Sequence, residues 1–204
     1  KPLIMHSVEI ARKFFNDNEI CVSTDSSEIK TIVEKSGLNV PFIRPQNLAQ
    51  DNSSTEDVLL HALSYYEEIG YNPDIIVLLQ PTSPFRREKD IKNALEEFSI
   101  EKDMVVSVNK SKENPYFTLY EENKMGFLQQ SKKGKYQRTQ DCPNVWKING
   151  SIYIINVFEL KKKGFSNFNK IVKYIIEDPI YCLDIDTEYD WLIAETIINK
   201  KLEI

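Results

Sequence analysis

Two aspartates near the carboxyl end of the sequence alternate with apolar residues. Asp184 and Asp186 are separated by Ile185 and preceded by Leu183. On an extended chain, residues two apart share a face and lie roughly 6.5–7 Å apart, so the two carboxylates would point the same way. Like charges this close repel each other unless a cation or a hydrogen-bond donor compensates. Mg²⁺ binds one or two carboxylates together with phosphate oxygens, so the pair predicts a magnesium site, in which Mn²⁺ could replace it.

Two further acids follow within a few residues, but one of them has a simpler explanation. Glu188 and Asp190 come directly after the aspartate pair. Thr187 and Asp190 have the spacing of a capping box, in which each side chain bonds the backbone of the other at the start of a helix. This accounts for Asp190 without a metal and leaves the pair at positions 184 and 186 unexplained.

A second group of polar side chains follows an apolar run at residues 75–79. Five apolar, mostly branched residues in a row are typical of a strand buried on both faces. Pro81 and Pro84 end this strand, because proline has no N–H to donate to a sheet. The polar residues of the turn are Gln80, Thr82 and Ser83. They lie at the carboxyl end of the strand, where ligands bind in open α/β sheets; a turn without a ligand is the alternative.

The remaining pattern alternates strands with helices. Apolar residues at helical spacing predict helices at residues 3–15, 27–36, 55–69, 88–98, 157–163 and 188–200. Extended apolar segments predict further strands at residues 20–22, 40–43, 104–108, 152–156, 171–176 and 181–185. Asp25 with Glu28, and Ser54 with Asp57, are predicted to cap the second and third helices. This order implies right-handed crossovers and a mainly parallel sheet.

The stretch from residue 110 to residue 140 interrupts the alternation. It is rich in Lys, Glu, Asn and Gln, and it carries hairpin signals near Asn123 and at residues 132–135. Its apolar residues include Phe117, Leu119, Tyr120, Phe127 and Leu128. Two hairpins bury little surface by themselves. The stretch is therefore either a mobile insertion or an arm that packs on a second subunit.

Composition limits the class of protein. A chain of 204 residues is expected to form one domain, and its 41% hydrophobic and 28% charged residues are typical of a soluble globular protein. The net charge of −5 argues against a nucleic-acid partner, which needs a basic face. No apolar run approaches the ~20 residues of a membrane span. The three cysteines lack metal-ligand spacing, so a reducing cytoplasm is the expected compartment.

Five stretches of the sequence, in the same order, resemble the acylneuraminate cytidylyltransferases, also called CMP-sialic acid synthetases. They are Leu-Leu-Gln-Pro-Thr-Ser-Pro-Phe-Arg at 78–86; Val-Ser-Thr-Asp at 22–25; Arg-Pro at 44–45 with Leu-Ala-Gln-Asp at 48–51; Arg-Thr-Gln-Asp-Cys-Pro at 138–143 with Asn-Gly-Ser-Ile-Tyr at 149–153; and Leu-Asp-Ile-Asp-Thr-Glu at 183–188. The match runs over nearly the whole chain, and the five stretches in series are specific although each is short.

The resemblance implies the fold and its organisation. We expect a three-layer α/β/α sandwich of the nucleotide-diphospho-sugar transferase type, with a mainly parallel sheet, spanning residues 1–204 as one domain. A β-hairpin arm at about residues 112–140 would make the protein a homodimer. In the family, an amino-terminal strand and a basic, glycine-containing loop that holds the triphosphate precede the stretch corresponding to residues 1–4. Neither is in this sequence, so we expect a fragment or a start that is not included.

The resemblance also assigns roles to individual residues. It places Arg44, Ser53 and Thr55 at the nucleotide, and it places Gln80, Thr82, Ser83, Arg138, Gln140, Asn149 and Tyr153 at the sugar. Asp184 and Asp186 would be the catalytic, metal-binding pair. An arginine pairs bidentately with a carboxylate, which suits an acidic sugar. By residue type alone, a surface ion pair would explain Arg44 and a core position would explain Tyr153.

The activity implied is the transfer of a cytidylyl group from CTP to a nine-carbon α-keto acid sugar, such as a sialic acid, with release of pyrophosphate. One alternative is the same reaction on a legionaminic, pseudaminic or Kdo-type acid. The Gln-Pro-Thr-Ser-Pro turn resembles the sialic and legionaminic branch more than the pseudaminic branch. The other alternative is a catalytically silent sugar- or nucleotide-binding module. No nucleic-acid or membrane partner is expected.

Overall fold

The computed structural model describes residues 1–50 and 53–200. The helices are α1 (Leu3–Ala11), α2 (Ser27–Lys35), α3 (Thr55–Glu68), α4 (Glu88–Glu96), α5 (Val157–Lys163) and α6 (Glu188–Asn199). The strands are β1 (Ile75–Leu78), β2 (Met104–Lys110), β3 (Tyr120–Glu122), β4 (Leu128–Gln130), β5 (Trp146–Asn156) and β6 (Ile171–Ile175). Within these ranges, no helix combines the length and the apolar character needed to cross a membrane.

The main sheet has the strand order β1-β5-β2-β6. Strand β6 is parallel to β2, whereas β5 is antiparallel to both β1 and β2. Three of the four strands of the sheet, β1, β2 and β6, therefore run in one direction, as the sequence predicts. Strand β5 lies between β1 and β2 and runs in the opposite direction. The reversal follows from the connection: the chain leaves Lys110, makes a long excursion and returns to pair Trp146 with the same residue. Antiparallel neighbours need no helical crossover.

Helices cover both faces of this sheet, as the predicted three-layer sandwich requires. Side chains at successive strand positions point to opposite faces. Val105 and Ile154 belong to a cluster with α1, α4 and α6, which contribute Ile10, Ile91, Ala94, Ala194 and Ile197. The next residues along the same two strands, Val106 and Ile155, belong to a second cluster with Leu59, Leu63, Val157 and Leu160 of α3 and α5.

Two predicted strands, at residues 20–22 and 40–43, are not strands in the described part of the chain. Both segments carry buried residues, and a backbone bond of 2.8 Å runs from the Arg44 N–H to the Thr24 carbonyl. The first segment and β1 line the same cavity of about 590 Å³, together with side chains of α1 and α3. A segment becomes a strand only when a neighbour completes its ladder of hydrogen bonds, and neither segment has such a neighbour among the described residues.

The predicted strand at residues 181–185 is also wrong. Pro179–Cys182 form a turn of 3₁₀ helix, which begins because the Asp178 carboxylate accepts the Ile180 N–H at 3.0 Å. The residues that follow are extended and pair once, when Ile185 donates its N–H to the Thr82 carbonyl at 2.8 Å. The alternation still holds, because Leu183 and Ile185 pack against the first cluster.

The excursion between β2 and β5 contains the hairpin β3–β4, whose turn near Asn123 agrees with the prediction. The second predicted hairpin, at residues 132–135, does not form. The N–H groups of Ser131 and Lys132 donate instead to the carbonyls of Leu119 and Pro115. The chain at residues 131–132 is therefore bonded to residues 115–119, and it does not fold back on itself as a second hairpin would.

Candidate functional site

The turn after β1 is held by its own backbone and by a buried serine. The Ser83 N–H donates to the Gln80 carbonyl at 3.1 Å, which closes the turn. Ser83 is fully buried, and its Oγ lies 3.3 Å from the Asn149 carbonyl oxygen and 3.2 Å from Asp184 Oδ1. A hydroxyl has one proton, so Ser83 can donate it to either acceptor. The turn is thereby tied to β5 and to the aspartate segment.

Three polar groups from separate parts of the chain meet at Gly150. This residue has φ of +74°, a conformation that glycine adopts without steric cost. A Cβ placed on it would lie 2.8 Å from Gln80 Oε1, 2.8 Å from Ser83 Oγ and 3.2 Å from Asp184 Oδ2. The structure therefore brings together three of the residues that the sequence predicts for the site. The absence of a side chain at Gly150 leaves the space that they share.

An irregularity in the pairing of β2 and β5 delivers Gly150 to this position. Val106 lies opposite Tyr153, whereas Val108 lies opposite Ile148. A step of two positions along β2 therefore corresponds to a step of five positions along β5. Such bulges are found beside active sites, where they redirect the chain. The bulge is filled by Ser107, whose Oγ donates to Asn149 Oδ1 at 2.6 Å and accepts the Ile152 N–H at 2.8 Å.

Asn149 holds this bulge from within. Its side chain is buried, and its amide donates to the Cys182 Sγ at 3.5 Å in addition to accepting from Ser107. Its Oδ1 also accepts the Ser151 N–H at 3.3 Å, and its amide nitrogen keeps a second N–H beyond the one given to Cys182. The structure holds Asn149 inside the bulge, and its contact with the sugar stays a prediction.

Tyr153 and Thr82 complete the immediate surroundings. Tyr153 is half-buried on β5 and packs against the second cluster, as the core interpretation expects. Burial raises the pKa of its hydroxyl, and the negative charge of Asp184 raises it further. Thr82 contributes its carbonyl to the bond with Ile185 that holds the aspartate segment against the turn.

Asp186 is exposed, and its backbone takes part in the cap of α6. The Asp190 carboxylate accepts the N–H groups of Asp186 at 3.3 Å and of Thr187 at 2.9 Å, while Thr187 Oγ1 accepts the Asp190 N–H at 3.2 Å. The predicted capping box is confirmed. It uses the main chain of Asp186 and leaves its carboxylate outside the cap.

The donor set at this end of the chain fits an open magnesium site. In the described ranges, no group of three or more His, Cys, Asp or Glu side chains is arranged to hold a metal ion. Mg²⁺ does not require such a group, because it keeps several waters and takes one or two carboxylates plus substrate phosphates. Asp184 and Asp186 offer two carboxylates, so a metal there would depend on the substrate for its remaining ligands.

Arg44 lies at the cavity that Gln80 also lines. One of its terminal nitrogens donates to Asp25 Oδ1 at 2.7 Å, so it does form the surface ion pair that residue type alone suggested. Its Nε, however, is buried and has no hydrogen-bond partner in the part of the chain that the structure describes, and the same holds for Ser23 Oγ in the same cavity. Buried polar groups are normally bonded, so these two atoms are available to a ligand.

Asp25 does not cap α2, so the predicted cap is wrong. The cap is Ser26, whose Oγ accepts the Ile29 N–H at 3.2 Å, because Ser26 is the residue that directly precedes the helix. Asp25 instead bonds Arg44, and this hydrogen bond lowers the pKa of its carboxyl group.

The other residues predicted for the nucleotide lie at the start of α3. Ser53 Oγ accepts the Gln50 N–H at 3.1 Å and donates to the Asn47 carbonyl at 3.2 Å, so it closes the preceding loop. Thr55 is exposed in the first turn of α3, after the confirmed cap formed by Ser54 and Asp57. Asp51, part of a stretch that carries the resemblance, lies outside the described residues.

Arg138 and Gln140 lie on the surface, and no bond within the described residues joins them to the group around Gly150. The Arg138 guanidinium donates two hydrogen bonds to the Asp141 carboxylate, from Nε and from a terminal nitrogen, each at 2.9 Å. A substrate carboxylate would have to replace Asp141 at this fork. Gln140 is exposed in the short turn Thr139–Asp141.

Two residues of the site were not singled out from the sequence. Arg86 is buried behind the turn and bonds the Gln80 carbonyl, and Gly150 supplies the shared space. Arg86 is the last residue of the stretch at 78–86, and no local pattern of the sequence marks it as buried. Gly150 had the signal of a glycine inside a strand pattern, which indicates a bulge or a close backbone approach.

Comparison with known proteins finds the same family along the whole chain. A family model described as cytidylyltransferase matches residues 1–199. The CMP-N,N'-diacetyllegionaminic acid synthase of Legionella pneumophila is 30% identical over 100% of this chain and 88% of its own length. The N-acylneuraminate cytidylyltransferase of Streptococcus agalactiae serotype V is 32% identical over 94% of this chain, which corresponds to 46% of that longer protein.

The fold has known counterparts as well. The solved structure of CMP:2-keto-3-deoxy-manno-octonic acid synthetase complexed with CTP superimposes with a TM-score of 0.65, covering 99% of this chain and 89% of that one at 17% identity. At this identity the likeness supports the fold alone, and the family follows from the sequence matches. The chain belongs to the cytidylyltransferase family.

Proposed function

We propose that this chain transfers a cytidylyl group from CTP to a nine-carbon α-keto acid sugar and releases pyrophosphate. The observation that carries the proposal is the meeting of Gln80, Ser83 and Asp184 around Gly150 at the carboxyl end of β1. In a cytidylyltransferase, this edge of the sheet is where a ligand is expected. The two relatives described above are named for legionaminic and acylneuraminic acids, which supports an acidic sugar.

In this reaction the 2-hydroxyl oxygen of the sugar forms a bond to the α-phosphorus of CTP. The bond between the α-phosphorus and the bridging oxygen breaks, pyrophosphate leaves with the electron pair, and the hydroxyl proton passes to a base or to water. Catalysis rests on holding the two reactants in line and on neutralising the charge at the phosphate. The Gln80 amide can donate to one sugar hydroxyl and accept from another, which suits it to hold the acceptor.

Asp184 and Asp186 would hold a magnesium ion together with the phosphates of CTP. When bound, Mg²⁺ stabilises the negative charge that develops at the reacting phosphate. The protein's own contribution is orientation: Ser83 lies 3.2 Å from Asp184 Oδ1, and the bond from Ile185 to Thr82 fixes the segment between the two aspartates.

The remaining residues divide between the two substrates. Arg44 Nε and Ser23 Oγ are buried donors without partners among the described residues, and they line the cavity next to Gln80, so they would face the nucleotide. Ser53 and Thr55 stay predictions for the nucleotide. Arg138, with Gln140 beside it, stays a prediction for the sugar, whose carboxylate would exchange with Asp141 at the arginine fork.

Pyrophosphate release tests this function directly. We expect the protein with CTP and Mg²⁺ to release pyrophosphate in the presence of a sialic or legionaminic acid, more slowly with a pseudaminic or Kdo-type acid, and not with UTP in place of CTP. Mn²⁺ in place of Mg²⁺ is expected to support the reaction. Binding of CTP or sugar without pyrophosphate release from any pair would contradict the enzyme and favour a silent binding module.

We further propose that the protein is a cytoplasmic homodimer joined through the hairpin β3–β4. Apolar residues of the hairpin are exposed, with Met125 at 77%, Phe127 at 66% and Leu128 at 70%. Because these side chains are outside the core, replacing Phe127 and Leu128 together by serine should dissociate the dimer without unfolding the subunit. Sedimentation velocity would show the change in mass. A monomeric wild-type protein, or a double variant that stays dimeric, would contradict the arm.

A further inference from the structure

A buried arginine stands behind the site and does not point into it. Arg86 is 8% exposed and is the last residue of the turn that begins at Gln80. Its Nε donates to the Ser151 carbonyl at 2.6 Å, one terminal nitrogen donates to Ser7 Oγ at 2.9 Å, and the other donates to the Gln80 carbonyl. One guanidinium therefore bonds β5, α1 and the turn at the same time.

This arrangement is costly for the fold. Burial lowers the pKa of Arg86 to about 9, an effect that the negative charge of Asp184 partly opposes. Burying a cation costs free energy that good hydrogen-bond geometry only partly offsets, and apolar residues of similar size often stabilise a core at least as well. The bonds of Arg86 go to two backbone carbonyls and one hydroxyl, so no carboxylate of the described residues neutralises it by direct contact.

The two carbonyls belong to residues that adjoin Gly150. Ser151 follows the glycine directly, and the side chain of Gln80 is one of the three groups that meet there. The bond to the Gln80 carbonyl holds the backbone from which the Gln80 side chain extends. The bond to the Ser151 carbonyl holds the backbone of the β5 bulge. A planar guanidinium fork can set both carbonyls relative to each other, which an ammonium group on a flexible stem cannot.

We infer that Arg86 is a positioning residue of the transferase reaction, which sets the Gln80 amide and the β5 bulge at the distance that the acidic sugar requires. The inference rests on the proposed function and deepens it. Arg86 itself does not touch the substrates. Its bonds do not reach the segments of Arg44, Ser53 and Thr55, so its loss should affect the sugar more than CTP, which it reaches only through the nearby Asp184.

Replacement of Arg86 by lysine tests the inference, because lysine retains the charge and loses the fork. We expect the KM for the sugar to rise about tenfold or more and the KM for CTP to change several times less, since a small misplacement of the Gln80 amide weakens its contact with the sugar, and misplacements of about 1 Å cost up to roughly 10²-fold. An equal rise in both KM values would overturn the inference. A residue that only supports the fold would give a different result: fewer active molecules, hence a lower kcat with both KM values unchanged. That result would overturn the inference, as would wild-type kinetics.

The neighbouring Arg87→Lys variant is the matched control. Arg87 has the same side chain, but it bonds Asp90 and lies over the Tyr181 ring at 4.1 Å, away from the group around Gly150. We expect its sugar KM to equal that of the wild type. A rise equal to that of Arg86→Lys would show that the effect is not specific to the fork and would overturn the inference.

A second variant keeps the inference testable if Arg86→Lys fails to fold. Ser7→Ala removes the hydroxyl that anchors one end of the guanidinium and leaves a small buried side chain on α1. We expect the sugar KM to rise severalfold, more than the CTP KM, and an unchanged sugar KM would overturn the inference. Failure of the proposed function is distinguishable, because the wild-type protein would then release no pyrophosphate with any sugar.

Discussion

Replacing Gly150 by alanine is expected to remove most of the pyrophosphate-releasing activity. The new Cβ would lie 2.8 Å from Gln80 Oε1 and 2.8 Å from Ser83 Oγ, and real side chains do not tolerate such distances. Ser83 is fully buried and has little room to move, so the Gln80 amide and the Asp184 carboxylate would be displaced. A shift of about 1 Å in a positioning group can cost roughly 10²-fold in rate, which is the loss we expect in kcat/KM for the sugar.

Part of any effect at Gly150 comes from the backbone and has to be separated. Glycine tolerates positive φ, whereas another residue there costs about 1–3 kcal/mol of stability. Gly37→Ala is the matched control, because Gly37 has φ of +87° and a Cβ there would have no neighbour within 4 Å. We expect the control to lower the free energy of unfolding and to retain wild-type kcat/KM. Wild-type turnover in Gly150→Ala would show that the space around Gly150 is not the sugar site.

Features of the site could be predicted from the sequence where they depend only on residues that are adjacent in the chain. The turn at Gln80 follows from two prolines after an apolar run, and the capping box of Thr187 and Asp190 follows from their spacing; the structure contains both. The alternation that directs Leu183 and Ile185 to the core also survives, although the segment is not a strand. Such features depend on a few adjacent residues, so the sequence contains enough information to predict them.

The features that the sequence did not predict depend on partners distant in the chain. The bulge that brings Gly150 to the turn exists only because β2 and β5 pair with a shifted register. Ser107 fills that bulge and bonds Asn149, which explains why the asparagine side chain is held inside the protein. The bonds of Arg86 to α1 and β5 likewise depend on the packing of the three layers. No local pattern encodes these contacts.

Replacing Asp186 by asparagine is expected to lower turnover by about 10²–10³-fold while leaving the fold intact, the loss seen when one group that stabilises transition-state charge is removed. Its carboxylate is exposed, and its contribution to the cap of α6 comes from its backbone N–H, which asparagine retains. The change therefore removes charge without removing a structural bond. Circular dichroism and the thermal midpoint should match the wild type, while the Mg²⁺ concentration needed for half-maximal pyrophosphate release should rise.

Two further variants, at Asp184 and at Glu188, are needed to interpret the result at Asp186. Asp184→Asn is expected to cause a loss of the same order, because its carboxylate belongs to the group around Gly150. Glu188→Gln removes one negative charge two residues beyond Asp186, from an exposed position in the first turn of α6, and is expected to keep wild-type turnover. If Asp186→Asn keeps full turnover at the ordinary Mg²⁺ concentration while Asp184→Asn does not, the paired metal site is wrong and a single carboxylate acts. If Glu188→Gln loses as much turnover as Asp186→Asn, the loss does not depend on the position of the carboxylate. The effect would then come from the net negative charge near the phosphates and not from a metal ligand at Asp186.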